Sequence, residues 1–323
     1  MRIADAKILV TGGCGLIGSH TIDQLLGKGA GEIVIYDNLV RGSTHNVTEA
    51  LKDKRVRLVE ADIRDVAAMR RATEGMDAVI HMATLRITAC ATEPREAFEV
   101  MCTGSYNVVE AARDAGVKKI VAASTASIYG LADTFPTTEA HHPYNNRTWY
   151  GASKIMLEGL LRSFYDMYKL DYVAFRYFNV YGPRMDMHGK YTEVLIRWMD
   201  RIANGQPPLI FGAGTDTMDF VNVIDIARAN VLGLESDVTD EVFNIASHSE
   251  TSLNDLAFAL LKVMKSDLKP EYGPPRGVNP VSRRLADISK AERMLGWKPQ
   301  LGLEDGLEQL VEWWRDNRDH IRE

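Results

Sequence analysis

The chain has 323 residues, 46% hydrophobic and 25% charged, with 25 glycines and 11 prolines; this excludes collagen-like and disordered classes and, at roughly 150 residues per domain, allows two lobes. The 38 Lys and Arg are outnumbered by 44 Asp and Glu, a formal charge of −6, so no broad positive field is on offer to nucleic acid or an anionic membrane. The 3 cysteines, Cys14, Cys90 and Cys102, form neither a disulfide framework nor a metal-ligand spacing, and no run has the make-up of a signal peptide or the length of a membrane span, which together point to the cytoplasm.

In chain order, short apolar runs predict strands at Lys7–Thr11, Glu32–Tyr36, Val56–Glu60, Ala78–Met82, Ile120–Ser124 and Tyr172–Tyr177. Helical patterns fall between them, at Leu16–Lys28, Val66–Thr73, Arg95–Ala115 and Tyr150–Lys169. This alternation is that of βαβ units, an α/β fold with a doubly wound parallel sheet covered by helices on both faces. After Tyr177 the regularity breaks. Residues 178–191 and 272–280 read as loops, and helices are expected at Thr192–Asn204, Ile224–Glu235, Leu253–Lys265 and Glu304–Arg318. The chain thus divides into a dinucleotide-binding domain, 1–178, and a smaller α/β substrate lobe, 179–323, with segments exchanging between them and a ligand cleft where they meet.

Directly after the first strand comes TGGCGLIGSH, with Gly12, Gly15 and Gly18 three apart and a helix opening behind them. Gly12 suits a tight turn, Gly15 lets the backbone approach a pyrophosphate, and Gly18 lets helix pack on strand, while the helix N-terminus supplies free N–H groups. An ordinary strand-to-helix turn needs one glycine, not this set. The second strand ends in Asp37, placed to accept from an adenosine ribose, which favours NAD over NADP; Arg41 nearby is a cation that could meet a 2′-phosphate. Asp62 closes the third strand as an adenine-side contact or, alternatively, as an acid at a helix start.

WYGASK sets Tyr150 and Lys154 four apart, on one helix face. A phenol ordinarily titrates near ~10, and a neighbouring ammonium together with a nicotinamide cation lowers that value enough to make Tyr150 a base near neutrality. Lys154 also suits a nicotinamide ribose. Taken alone, such a pair is commonly a solvated helix face.

TGGCGLIG, Asp37, Asp62, HMA at 81–83, STASIYG and YGASK, joined by RYFNVYGPR at 176–184 and RRLADISKAERMLGW at 283–297, resemble the extended short-chain dehydrogenase/reductase superfamily, and within it the nucleotide-sugar epimerase/dehydratase family typified by UDP-glucose 4-epimerase. The resemblance covers nearly the whole chain and implies a Rossmann-type fold with NAD as cofactor. It makes Thr125, Tyr150 and Lys154 the catalytic set and extends the cofactor contacts to Leu16, Ile17, Asn38, Arg41, Gly42, Ile63, Met82, Ala83, Arg86 and Tyr177. It implies substrate contacts at Thr125, Tyr150 and Asn179 and base stacking at Phe211; Arg276 and Arg284 are candidates for the pyrophosphate, which an acidic protein must meet with local positive charge. Asn179 as a turn cap and Phe211 as core are the plainer alternatives.

The implied reaction removes hydride from a sugar carbon while Tyr150 takes the hydroxyl proton. Dehydratases and decarboxylases of this family usually carry acids between the Thr and the YG pair. Here that segment is Ala126, Ser127 and Ile128, which favours epimerisation at C4 over a lyase or a net oxidoreductase. A non-catalytic NAD-binding protein is disfavoured by the intact Thr125, Tyr150 and Lys154. Met218 stands where the family often has arginine, and Met101 where it has asparagine. Cys14 is expected to pack as a small hydrophobe and His81 to end a strand. A homodimer through helices Arg95–Ala115 and Tyr150–Lys169 is also implied.

Overall fold

The apolar runs of the first half become strands, buried on both faces except in the edge strand Val56–Glu60, where Arg57 and Glu60 are exposed. In the computed structural model, which describes residues 1–187, 193–275 and 281–318, these are β1 (Lys7–Thr11), β2 (Glu32–Asp37), β3 (Val56–Glu60), β4 (Ala78–His81), β5 (Lys119–Thr125) and β6 (Asp171–Tyr177). The later strands are β7 (Asn179–Tyr181), β8 (Leu209–Phe211), β9 (Thr217–Met218), β10 (Phe220–Asn222), β11 (Glu241–Ile245), β12 (Thr251–Ser252) and β13 (Glu271–Gly273). One seven-stranded parallel sheet runs β11-β6-β5-β4-β1-β2-β3. The fold is the expected Rossmann-type α/β architecture. The strand order reverses between β1 and β4, and the crevice beyond their C-terminal ends is where such sheets bind ligands.

Period-2 geometry sorts each strand between two cores. Ile8, Val10, Ile33 and Ile35 face one hydrophobic cluster, and Leu9, Val34 and Tyr36 face the other. A third cluster, built on Trp198, Leu256, Leu260, Leu310 and Trp314, belongs to the C-terminal part.

The helices are α1 (Leu16–Gly27), α2 (Val66–Thr73), α3 (Ile87–Thr92), α4 (Pro94–Phe98), α5 (Ser105–Asp114), α6 (Trp149–Tyr168), α7 (Val194–Ala203), α8 (Val223–Glu235), α9 (Leu253–Val263), α10 (Ser289–Leu295) and α11 (Leu303–Asn317). The single helix expected over Arg95–Ala115 is instead α4 and α5 joined by a π-helical turn, Glu99–Gly104. At that turn Gly104 comes so close to Ile63 that a Cβ there would sit 2.6 Å from its side chain. Met101 lies within it, buried, with its thioether accepting from the Cys90 thiol at 3.3 Å and the Ser153 hydroxyl at 3.5 Å. Two expected loops carry short strands: β7 pairs with β10 inside 178–191, and β13 pairs with β8 at the start of 272–280.

α8 is tied to the chain's end through one acid. Asp225 accepts from the Gln300 and Leu301 N–H groups at 2.9 and 3.1 Å, and its carbonyl accepts from the indole of fully buried Trp297 at 3.0 Å. Trp297→Ala is therefore expected to lower the unfolding free energy by about 3–5 kcal/mol, read as a reduced denaturant midpoint.

Candidate active site

The glycine loop is fixed by contacts that leave no room for side chains. Gly12 adopts φ +70°, and a Cβ there would meet the Ala83 nitrogen at 2.8 Å; one on Gly18 would strike the Gly12 carbonyl oxygen and lie 2.6 Å from Gly13 Cα. The two glycines thereby bring β4 and the start of α1 against the turn. Gly15 precedes α1 with only the Gly12 oxygen near its missing Cβ, at 3.3 Å. The first-turn N–H groups of α1 face a cleft of about 790 Å³.

Every residue that the sequence assigned to the cofactor lines this cleft: Gly12, Gly15, Leu16, Ile17, Gly18, Asp37, Asn38, Arg41, Gly42, Asp62, Ile63, Met82, Ala83, Arg86, Tyr150, Lys154 and Tyr177. Asp37 is buried and accepts from the Cys14 and Leu39 N–H groups at 3.0 and 2.9 Å. Burial raises its pKa against those bonds and the Arg41 charge, while burial, helped by Asp37, pushes the Cys14 thiol up to about 12. Asp62 does not start a helix, since Asp65 caps α2. Its carboxylate is held by Arg64 at 2.9 and 2.8 Å and by Asn38 at 2.9 Å, with its pKa lowered to about 2, the Arg64 bonds being the main cause.

Arg41 turns across the cleft mouth. Asp186, from the segment after β7, lies 3.7 Å from Arg41 and 3.1 Å from Arg86, and Arg184 pairs with Asp23 of α1 at 2.7 Å. Met185, Asp186 and Met187 also line the cleft, as does Trp313 of α11, whose neighbour Asn317 meets His45 at 2.8 Å. These long-range closures were missed from the sequence, where nothing short-range joins α11 to residue 45.

The catalytic set assembles where α6 packs on β5. Thr148 caps α6 by accepting from the Gly151 N–H at 3.0 Å, which fixes the register of Tyr150 and Lys154. The hydroxyls of Thr125 and Thr84, the latter also missed in the sequence, act on the phenol of Tyr150 against the effect of its burial. Lys154 donates to the Ala123 carbonyl at 2.8 Å. Burial pushes its pKa down to about 8, with Cys90 and Glu158 working in the other direction. The structure corrects one electrostatic expectation. Burial holds the Tyr150 pKa above its ordinary value, and the groups that oppose it are the Thr125 hydroxyl, Arg41 and Thr84, not Lys154. His81 ends β4, fully buried between Thr11 and Ser105 at 2.8 and 3.0 Å, its pKa pushed down to about 3 mainly by burial, so it stays neutral.

The residues expected to hold substrate are less gathered. Asn179 lies on β7, its N–H on the Asp219 carbonyl at 3.0 Å, and Phe211 ends β8; neither is part of the cleft wall. Arg284 is buried beside the Ala126 carbonyl at 2.8 Å rather than in the main cleft. Arg276 lies outside the described residues. Met218 sits in β9, paired with Thr251.

Residues 8–246 match the NAD dependent epimerase/dehydratase family. The chain belongs to that family. The putative UDP-glucose 4-epimerase of Methanocaldococcus jannaschii is 34% identical over 96% of this chain and 99% of its own length. The UDP-glucose 4-epimerase of Thermotoga maritima, solved with UDP-glucose, is 35% identical with a TM-score of 0.90, covering 97% of this chain and 99% of its own. DesIV of Streptomyces venezuelae, a dTDP-glucose 4,6-dehydratase solved with NAD and TYD bound, is 30% identical at a TM-score of 0.90, covering 98% and 99%. For this member of the family NAD is the cofactor, and its cleft fits that group: a tight loop under free helix N–H groups, and a buried acid at the end of β2 that repels the 2′-phosphate of NADP. Gly18→Ala is expected to weaken NAD binding at least about tenfold by pushing the loop off α1, measured by calorimetry, with unfolding still cooperative.

Proposed function

We propose that the protein interconverts C4 stereoisomers of a nucleotide-diphosphate sugar, with NAD resident and regenerated in each turnover. The observation that carries this reading is Tyr150 on the wall of the NAD cleft with Thr125 ending β5 nearby, followed by a segment, Ala126–Ser127–Ile128, with no carboxylate. Elimination and decarboxylation need a further acid or base beside the sugar. The nearest such group along α6, Glu158, is already held by Arg176 at 3.0 and 2.7 Å. The relatives named as 4-epimerases support the same reading.

What NAD supplies when bound is reversible hydride acceptance at C4. Tyr150 takes the C4 hydroxyl proton as the carbonyl forms and gives it back once the keto sugar presents its other face. Thr125 offers its hydroxyl to the substrate oxygen, and Lys154, one turn after Tyr150 on α6, keeps a positive charge below about pH 8. The dinucleotide-binding domain is assigned to 1–178 and the substrate lobe to 179–323, with Met185, Asp186, Met187 and Trp313 of the lobe reaching the cleft. A homodimer is assigned to the outer face of α4, α5 and α6, where exposed Phe98 and Trp149 stack at 6.3 Å at the start of α6, and Met167 and Tyr168 are exposed at its end. We place the protein in the cytoplasm, consistent with its free cysteines.

Tyr150→Phe is expected to lower kcat by about 10²–10⁴ with bound NAD unchanged, followed by NMR of UDP-sugar isomers and by absorbance of the cofactor. Loss of water or carbon dioxide by the unaltered enzyme would replace this reading with a lyase. Because Lys154 is charged only below about 8, against 10.5 for an ordinary lysine, kcat is expected to fall as pH rises through 8. A rate holding to pH 10 would remove Lys154 from the mechanism.

A further inference from the structure

Buried guanidinium groups are ordinarily paired with an anion. Arg284 is only 9% exposed, and among the described residues no carboxylate is paired with it; the sequence of 276–280, RGVNP, contributes none. Its described contacts are the backbone N–H on the Thr217 carbonyl at 2.9 Å and one guanidinium nitrogen on the Ala126 carbonyl at 2.8 Å. Burial alone pushes its pKa down, to about 10, so it remains a cation.

This cation lines a small cavity with Ser127, Thr148 and a second guanidinium, Arg147. Arg147 is anchored through one nitrogen to the Tyr144 and Asn146 carbonyls at 3.1 and 3.3 Å. The walls adjoin the chemistry: the Ser127 N–H donates to the Thr125 hydroxyl at 3.1 Å, and Thr148 caps the helix two residues before Tyr150. The cavity holds about 10 Å³, the space of one water. That admits an oxygen of a carboxylate and is too small for a diphosphate.

We propose that Arg284 and Arg147 receive a carboxylate carried by the sugar, so that the substrate class is a nucleotide-linked acidic sugar such as a hexuronic acid. This rests on the epimerase reading above. Val281, Leu131, Ile87 and Gly130 complete the wall, and the burial of Arg284 strengthens a charge-assisted bond on its side.

The test uses the full NAD-loaded chain with UDP-glucuronate, UDP-galacturonate, UDP-glucose, UDP-galactose and UDP alone, measuring kcat/KM and, independently of turnover, affinity by calorimetry. The acidic sugars are expected to exceed the neutral ones by about tenfold or more in both, and Arg284→Gln and Arg147→Gln are expected to erase that margin while leaving UDP affinity unchanged. Equal affinity for acidic and neutral sugars overturns the proposal. So does an equal loss on UDP itself, which would make these arginines diphosphate ligands. Arg147 is exposed, so its variant decides the matter if Arg284→Gln does not fold. Isomerisation of neutral sugars alone would sink the carboxylate and leave the epimerase standing. A calorimetric preference for acidic sugars with no isomerisation of any would do the reverse.

Discussion

Lys154 and Glu158 stand one turn apart on α6, and both are tied to β5. Lys154 donates to the Ala123 carbonyl, and Glu158 accepts from the Ser124 hydroxyl at 2.5 Å while gripping Arg176 of β6. Arg176 in turn donates to the Tyr129 hydroxyl and the Glu139 carbonyl, both at 2.9 Å. With these charges buried, any slip of α6 along the sheet leaves an ion unpaired, which costs about 3–5 kcal/mol. The helix that carries Tyr150 therefore has one register against the strand that carries Thr125, and the base, its hydroxyl partner and the mouth of the dinucleotide cleft are placed together by that constraint.

Charge is distributed in the same spirit. A protein with an overall surplus of acids gathers cations around its cavities: Arg41, Arg86 and Lys154 line the cleft, and Arg284 and Arg147 line the small cavity. Asp186 bridges Arg41 and Arg86, linking the segment after β7 to the dinucleotide domain across the opening. Neutral His81 and the raised thiols of Cys14 and Cys90 keep competing titrations out of the site.

Legibility in the sequence followed the range of the forces involved. β1, β3 and α2 fall on their expected bounds, because apolar runs and local capping decide them. The cofactor wall was readable because glycine spacing and strand ends are local and the family's motifs mark the rest. The π turn at Met101 was not, since an extra residue in a turn leaves the apolar pattern almost intact. Nor was β11, a short strand that joins the sheet through register with β6 more than 60 residues earlier. Arg284 shows the same limit: its residue type suggested an anion, while its place beside Ala126 depends on pairing between 217 and 283–284.

In the proposed reaction hydride leaves C4 and returns to the same carbon within one binding event. It is tested most directly with UDP-sugars, neutral and acidic, carrying deuterium at C4, incubated with the NAD-loaded protein and no added cofactor. The expected product is an isomer of equal mass, inverted at C4, with deuterium retained there and no reduced cofactor accumulating. Replacement of the label by solvent hydrogen, or deuterium stranded on reduced cofactor in proportion to product, would contradict it.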